Sequence, residues 1–204
     1  MLNIAVIVKR IEASGSRPSE KLLDIADKKA IDIATEIKEK LEANVCVFCI
    51  APYESAEVIR ECYAFGVDAG YLLDDPSFER VDESGIVSIF GSAIKRVNDF
   101  DLIFIASTSD KDAILDVGKK MANFLGTDHI GSIENIKMLG SRLFAVPCQQ
   151  DKKEKELQSP TLINFVFDPS EKIHNAMRIM KVFKKDVKFF NSSDLGINIR
   201  KFSK

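Results

Sequence analysis

The stretch Asp101-Leu-Ile-Phe-Ile-Ala-Ser-Thr-Ser-Asp-Lys-Asp-Ala-Ile-Leu-Asp-Val-Gly-Lys-Lys-Met-Ala-Asn-Phe-Leu125 decides the fold, because its hydrophobic period changes partway through. Leu102 to Ala106 is a continuous apolar run, the mark of a strand covered on both faces in a parallel sheet. Ser107 to Asp112 is a polar break. From Ala113 the period becomes helical, with Ile114, Val117, Met121, Phe124 and Leu125 recurring at three- and four-residue steps. Strand, loop and helix in this order place the loop at the carboxyl end of a strand. Open α/β sheets bind ligands there, and a following helix N-terminus favours phosphate. The loop has neither G-x-G-x-x-G nor G-x-x-x-x-G-K-[ST], so it carries no standard phosphate-loop signature. On these residues alone, a ligand-binding loop and a plain βα connection both stand open.

Upstream, the same alternation repeats. Asn3 to Val8 reads as a strand, Asp24 to Leu41 as a helix with apolar positions on one side, and Val45 to Ala51 as a second strand. This βαβ unit must cross over right-handedly, which makes its strands parallel. Ser55 to Phe65 gives a helix stopped by Gly66 in the left-handed manner, and Ala69 to Leu73 a third strand. A turn at Asp74-Asp75-Pro76 leads to a helix over Gly85 to Val97. The prediction is a doubly wound, mostly parallel α/β sheet with helices on both faces. Downstream, Ile130 to Ile136, Arg142 to Gln149 and Thr161 to Phe167 read as strands separated by Gly140 and the polar run 151–158, which predicts a C-terminal antiparallel segment. The expected division is an α/β nucleotide-binding-type domain over 1–170 and a basic tail over 171–204.

The 204 residues allow one sizeable core. A formal net charge of -2 with 29% charged residues points to no nucleic-acid or general membrane role, and the basic tail, lacking an aromatic stacking platform, reads as a solvated face. No run is long enough for a transmembrane segment and the start lacks a signal-peptide pattern, so a cytoplasmic protein is expected. Cys46 and Cys49 form a C-x-x-C inside a strand, where positions three apart face opposite ways, so they are expected as buried thiols and not a redox or metal pair. His129 and His174 belong to no ligand pattern, so no metal site is predicted. No nucleophile–base pair or convergent carboxylate pair stands out, and no catalytic residue is assigned.

Four segments in order and in spacing resemble the small (beta) subunit of electron transfer flavoproteins. Ile4-Ala-Val-Ile-Val-Lys-Arg10 is similar to the family's first strand, and Asp24 to Lys40 to the segment after its N-P turn. Glu57-Val-Ile-Arg-Glu-Cys-Tyr-Ala-Phe-Gly-Val-Asp68 resembles the family's E-x-I-R-x-A-L-A-M-G-A-D. Ile179-Met-Lys181 with Lys184-Lys185, then Asp194-Leu-Gly196, resemble its I-M-K-A-K-K-K and D-L-G tail.

The resemblance implies an adenine-nucleotide alpha-hydrolase-like fold and an electron-carrier subunit. It would pair with an alpha subunit holding most of the FAD site and pass electrons between a flavin-dependent dehydrogenase and an acceptor. It also implies an adenine nucleotide, AMP in ordinary carriers and a second FAD in bifurcating ones. The contacts implied by position are Ile7, the run Asp24, Ile25, Ala26 and Asp27, then Ile50, and the loop of Ala106, Ser107, Thr108, Ser109, Asp110, Asp112 and Val117.

The family loop D-G-D-[ST]-x-Q-[VT]-G matches Lys111-Asp-Ala-Ile-Leu-Asp-Val-Gly118 without gaps, so Ala113, Ile114 and Asp116 replace an acid, a hydroxyl and an amide. This weakens the phosphate end of the implied site. Ala176 stands where the family has a leucine that docks into a dehydrogenase, which weakens that contact. A stand-alone adenine-nucleotide sensor and a structural subunit that binds no nucleotide are the competing readings.

Overall fold

In the computed structural model, residues 1–9, 23–108, 112–149, 151–168 and 185–202 are described, the side chains of 112–115 and 200 excepted. Nine strands form one sheet: β1 (Asn3–Val8), β2 (Asn44–Ile50), β3 (Ala69–Leu73), β4 (Leu102–Ser107), β5 (Asp128–Leu139), β6 (Arg142–Pro147), β7 (Lys155–Glu156), β8 (Thr161–Val166) and β9 (Lys188–Phe190). The helices are α1 (Ile25–Leu41), α2 (Glu57–Ala64), α3 (Glu83–Val97) and α4 (Asp112–Leu125). Strand order is β7-β6-β5-β8-β4-β1-β2-β3-β9, and every pairing from β5 to β9 across the centre is parallel. This is the mostly parallel doubly wound sheet that the βα alternation predicts. No helix among the described residues is long and apolar enough to cross a membrane.

The two-residue period of the strands divides the core into two layers. Val6, Val8, Val47, Cys49, Phe104 and Ala106 point to the α1/α2 side, whereas Ile7, Phe48, Ile103 and Ile105 point to the α3/α4 side. Cys46 and Cys49 therefore fall on opposite faces, and neither forms a disulfide. Burial raises the Cys62 thiol well above its ordinary range, with Cys49, Glu61 and Asp27 adding to the rise. It is a thiol of the core rather than a reactive group.

Helix ends follow their signals. The Asp24 carboxylate accepts from Ala26 N at 3.1 Å and caps α1, and Asp82 does the same for α3 through Gly85 N at 2.8 Å. Gly66 adopts φ 98° after α2, a conformation that side chains rarely take, as the stop signal in the sequence predicts.

The C-terminal half differs from its predicted antiparallel arrangement in one respect. β5–β6 and β6–β7 are antiparallel, but β8 inserts between β4 and β5 and is parallel to both. The cause is burial: Thr161 to Phe165 are buried on both faces, which only an interior strand of a covered sheet satisfies. β5 changes partner along its length, pairing with β8 from Asp128 and with β6 to Leu139. The register breaks between Ile130 and Ile133, where Ser132 takes φ 56°.

The described part of the basic tail, which the sequence reading takes as a solvated face, contributes β9. Tyr71, Leu72 and Leu73 pair with Lys188, Phe189 and Phe190. Tyr63 Oη donates to Asp186 O at 2.8 Å and accepts from Gly70 N at 2.9 Å, while Leu195 and Ile199 are buried against the α3/α4 layer. Asp75 accepts from Ser192 N and Oγ and from Ser77 N and Oγ. Partial burial alone would raise its carboxyl, but these four donors outweigh it and hold the group well below its ordinary value.

Candidate functional site

β1 sits between β2 and β4, and the chain winds outward from it in both directions. The carboxyl ends of β1 and β4 are thus the switch point of the sheet, where helices diverge to opposite faces and leave a crevice. A cavity of about 420 Å³ opens there on the α3/α4 side. Ile7 and Ile105, partners in the β1–β4 register, form part of its floor together with Ile50 at the end of β2. Phe78, Val81, Ile86 and Phe90 supply one wall, and Val117 and Met121 of α4 the other. Lys9 and Glu79 are the charged side chains at its boundary. The cavity is apolar with a charged rim, which suits a flat ring better than a solvated ion.

On the other side of β1, the sequence brings a carboxylate under the sheet edge. Asp27, in the first turn of α1, is fully buried. Its Oδ2 accepts from Lys9 N at 2.7 Å, and its Oδ1 lies 3.9 Å from Lys9 Nζ with no hydrogen-bond partner. Lys9 Nζ donates instead to Ala106 O at 2.7 Å, tying the end of β1 to the end of β4. Burial pushes the Asp27 carboxyl up to about 7, against the pull of the Lys9 ammonium and of the Lys9 N–H, while Asp24 adds to the rise. A buried carboxylate with one oxygen left over is a ready acceptor for a hydroxyl or amino donor.

The structure brings most of the sequence-predicted positions to this edge. Ile7, Ile50 and Val117 line the same cavity. Asp24 caps α1, Ile25 and Ala26 open it, and Asp27 lies beneath β1. Ala106 and Ser107 end β4, both buried, with Thr108 following. Ser109 and Asp110 lie outside the described residues. Asp112 starts α4, and its side chain is likewise outside them, as are the replaced positions Ala113 and Ile114. Ala176 and the Ile179-Met-Lys181 motif are also outside.

Sequence reasoning missed Lys9, Phe78, Val81, Ile86, Phe90, Ile105 and Met121. Lys9 carried no signal of its own, because an exposed lysine at a strand end is satisfied by water as well as by a carbonyl. Phe78 and Val81 sit in the Pro76–Arg80 turn and just after it, where no periodicity marks the inward face. Gly118 acts through packing. A Cβ there would lie 1.9 Å from Asn164 Oδ1, so the bare glycine lets α4 approach β8. Asn164 in turn contacts His129 Nε2 at 3.0 Å.

Fold and crevice together define a doubly wound α/β domain with a ligand-sized hollow at its switch point. Residues 19–188 match the electron transfer flavoprotein domain, and the chain belongs to that family as a beta-subunit-like member. The chain is 26% identical to the CarD subunit of the caffeyl-CoA reductase-Etf complex of Acetobacterium woodii, over 87% of this chain and 69% of that one. It is 27% identical to the electron transfer flavoprotein subunit beta of Thermoanaerobacterium thermosaccharolyticum, over 84% and 67%. The beta subunit of Clostridium acetobutylicum is 24% identical over 84% and 67%.

Proposed function

We propose that this electron transfer flavoprotein beta-like chain pairs with an alpha subunit carrying the FAD, passes electrons between a flavin-dependent dehydrogenase and an acceptor, and holds an adenine nucleotide, AMP, at the β1/β4 crevice. The family match over most of the chain supports the carrier role, and the name of the A. woodii relative places that protein in a reductase complex. The 420 Å³ apolar cavity at the switch point is the single observation behind the nucleotide. Its residues fit the base of such a ligand, offering a hollow of apolar side chains for the ring. Ser107 and Thr108 at the end of β4 offer hydroxyls to the sugar or phosphate. Lys9, bound to Ala106 O, keeps β1 and β4 in place beneath it. The FAD supplies the redox chemistry from the partner, and this chain's role is docking and alignment.

The division into a nucleotide-binding-type domain over 1–170 and a partner-contacting tail over 171–204 belongs to the same proposal, as does a cytoplasmic location. Calorimetric titration of the full chain with AMP, ADP and FAD tests the nucleotide. Binding of AMP that is lost on Thr108→Glu is the expected result. Absence of heat with any of the three at millimolar concentration would overturn the site and leave the carrier reading to be tested through its partner.

A further inference from the structure

We propose that a second cavity, at the opposite edge of the sheet, binds a small organic ammonium ligand, an apolar body bearing a protonated amine. The cavity is about 340 Å³, within the range of small-ligand sites, and lies where β4 and β8 begin and α3 and α4 end. Ile94, Phe100, Ile103 and Leu125 make its floor. Thr127 lines it, and the Thr127 Oγ1 is buried with no hydrogen-bond partner. A buried hydroxyl left unpaired is costly, and a ligand N–H donating to it removes that cost.

The sign of the charge follows from the rim. Asp99 and Asp101 are its carboxylates, Asp101 Oδ2 accepting from Asn3 N at 2.8 Å, and α3 ends beside it with the partial negative charge of a helix C-terminus. Lys95 is the one cation in the lining, and its ammonium is engaged elsewhere, donating to Phe124 O at 2.7 Å and lying 4.7 Å over the Phe124 ring. An anion is therefore disfavoured. A bare metal ion is disfavoured too, because among the described residues no three His, Cys, Asp or Glu groups converge to hold one, and the floor is apolar. An ammonium group on an apolar body satisfies the hydroxyl, the carboxylates and the floor together. The site lies at the amino ends of the strands, away from the crevice assigned to the nucleotide, and stands independently of that assignment.

The test is a methyl NMR titration of the full chain with 2-phenylethylammonium and with 2-phenylethanol, which share a body and differ in charge. Saturable shifts at the Ile94, Ile103 and Leu125 methyls are expected for the ammonium in the millimolar range, with the alcohol about tenfold weaker or worse. Asp99→Asn should weaken the ammonium and leave the alcohol unchanged. Thr127→Val, close to isosteric, should weaken the ammonium with the fold retained. The proposal is overturned by equal binding of the two probes, by shifts confined to Ile7, Ile50 and Ile105, or by no shift at about 10 mM ammonium.

Discussion

Replacing Asp27 with asparagine should flatten the pH dependence of stability between acid and neutral pH. Burial raises the Asp27 carboxyl from 3.8 to about 7, and the attraction of Lys9 is already contained in that value. A folded-state value above the unfolded one means that the unfolded chain ionises first as pH rises. The stability tied to this group is fully present below pH 3.8 and is lost as pH climbs through about 7. A difference of about 3 pH units at about 1.4 kcal/mol each gives a loss of about 4 kcal/mol by pH 8. Asparagine keeps an acceptor for Lys9 N and never ionises. Urea denaturation of both proteins from pH 4 to pH 8 should show equal stability in acid and an advantage of several kcal/mol for Asp27→Asn above pH 7. Carbon NMR of the carboxyl should show it titrating near neutrality. Parallel stability curves for the two proteins, or a carboxyl titrating near its ordinary value, would show that burial does not hold Asp27 protonated.

Gly118→Ala should cost about 1 to 3 kcal/mol in denaturant titration, because the new methyl meets Asn164 at 1.9 Å in a packed layer. Tyr63→Phe should cost a similar ~1 to 3 kcal/mol by leaving the buried Gly70 N–H unpaired, and amide exchange in β9 should speed up with the loss of the bond to Asp186 O. Asp75→Ala should release Ser192 and raise exchange across Lys188 to Phe190 with little change in the β1–β4 core. Because the Asp75 carboxyl is held below its ordinary value, its contribution is fully present above the ordinary aspartate range. Wild-type protection of β9 should therefore fall only in stronger acid, as that depressed value is crossed.

Much of the fold was legible because burial on both faces leaves a direct trace in the sequence. The runs Ile4 to Val8, Val45 to Ile50 and Leu102 to Ala106 have no polar alternation, and each became a central parallel strand. Order within the sheet was less legible. Nothing local in Thr161 to Val166 says that the strand lies between β4 and β5, since parallel neighbours are chosen by distant packing rather than by turns. β9 was hidden for another reason: Lys188 and Lys185 give a basic signature, yet they spend their ammonium groups on Tyr71 Oη and Val67 O. At the crevice, the βα alternation placed the segment ends on one edge of the sheet, and the family resemblance named Ile7, Ile50 and Val117 among them. The wall from Phe78 to Phe90 was not, because it depends on how α3 crosses the sheet. The ion-like trio of Lys9, Asp27 and Ala106 needed the register of β1 against β4.

We propose that this chain is a carrier subunit whose flavin resides on a partner. Co-expression with a candidate alpha subunit, followed by the visible spectrum and flavin content of the purified complex and of this chain alone, tests it most directly. The expected results are a yellow heterodimer with FAD retained by the complex, and a colourless chain when it is purified alone. A complex without flavin, or stoichiometric flavin held by the isolated chain, would contradict it.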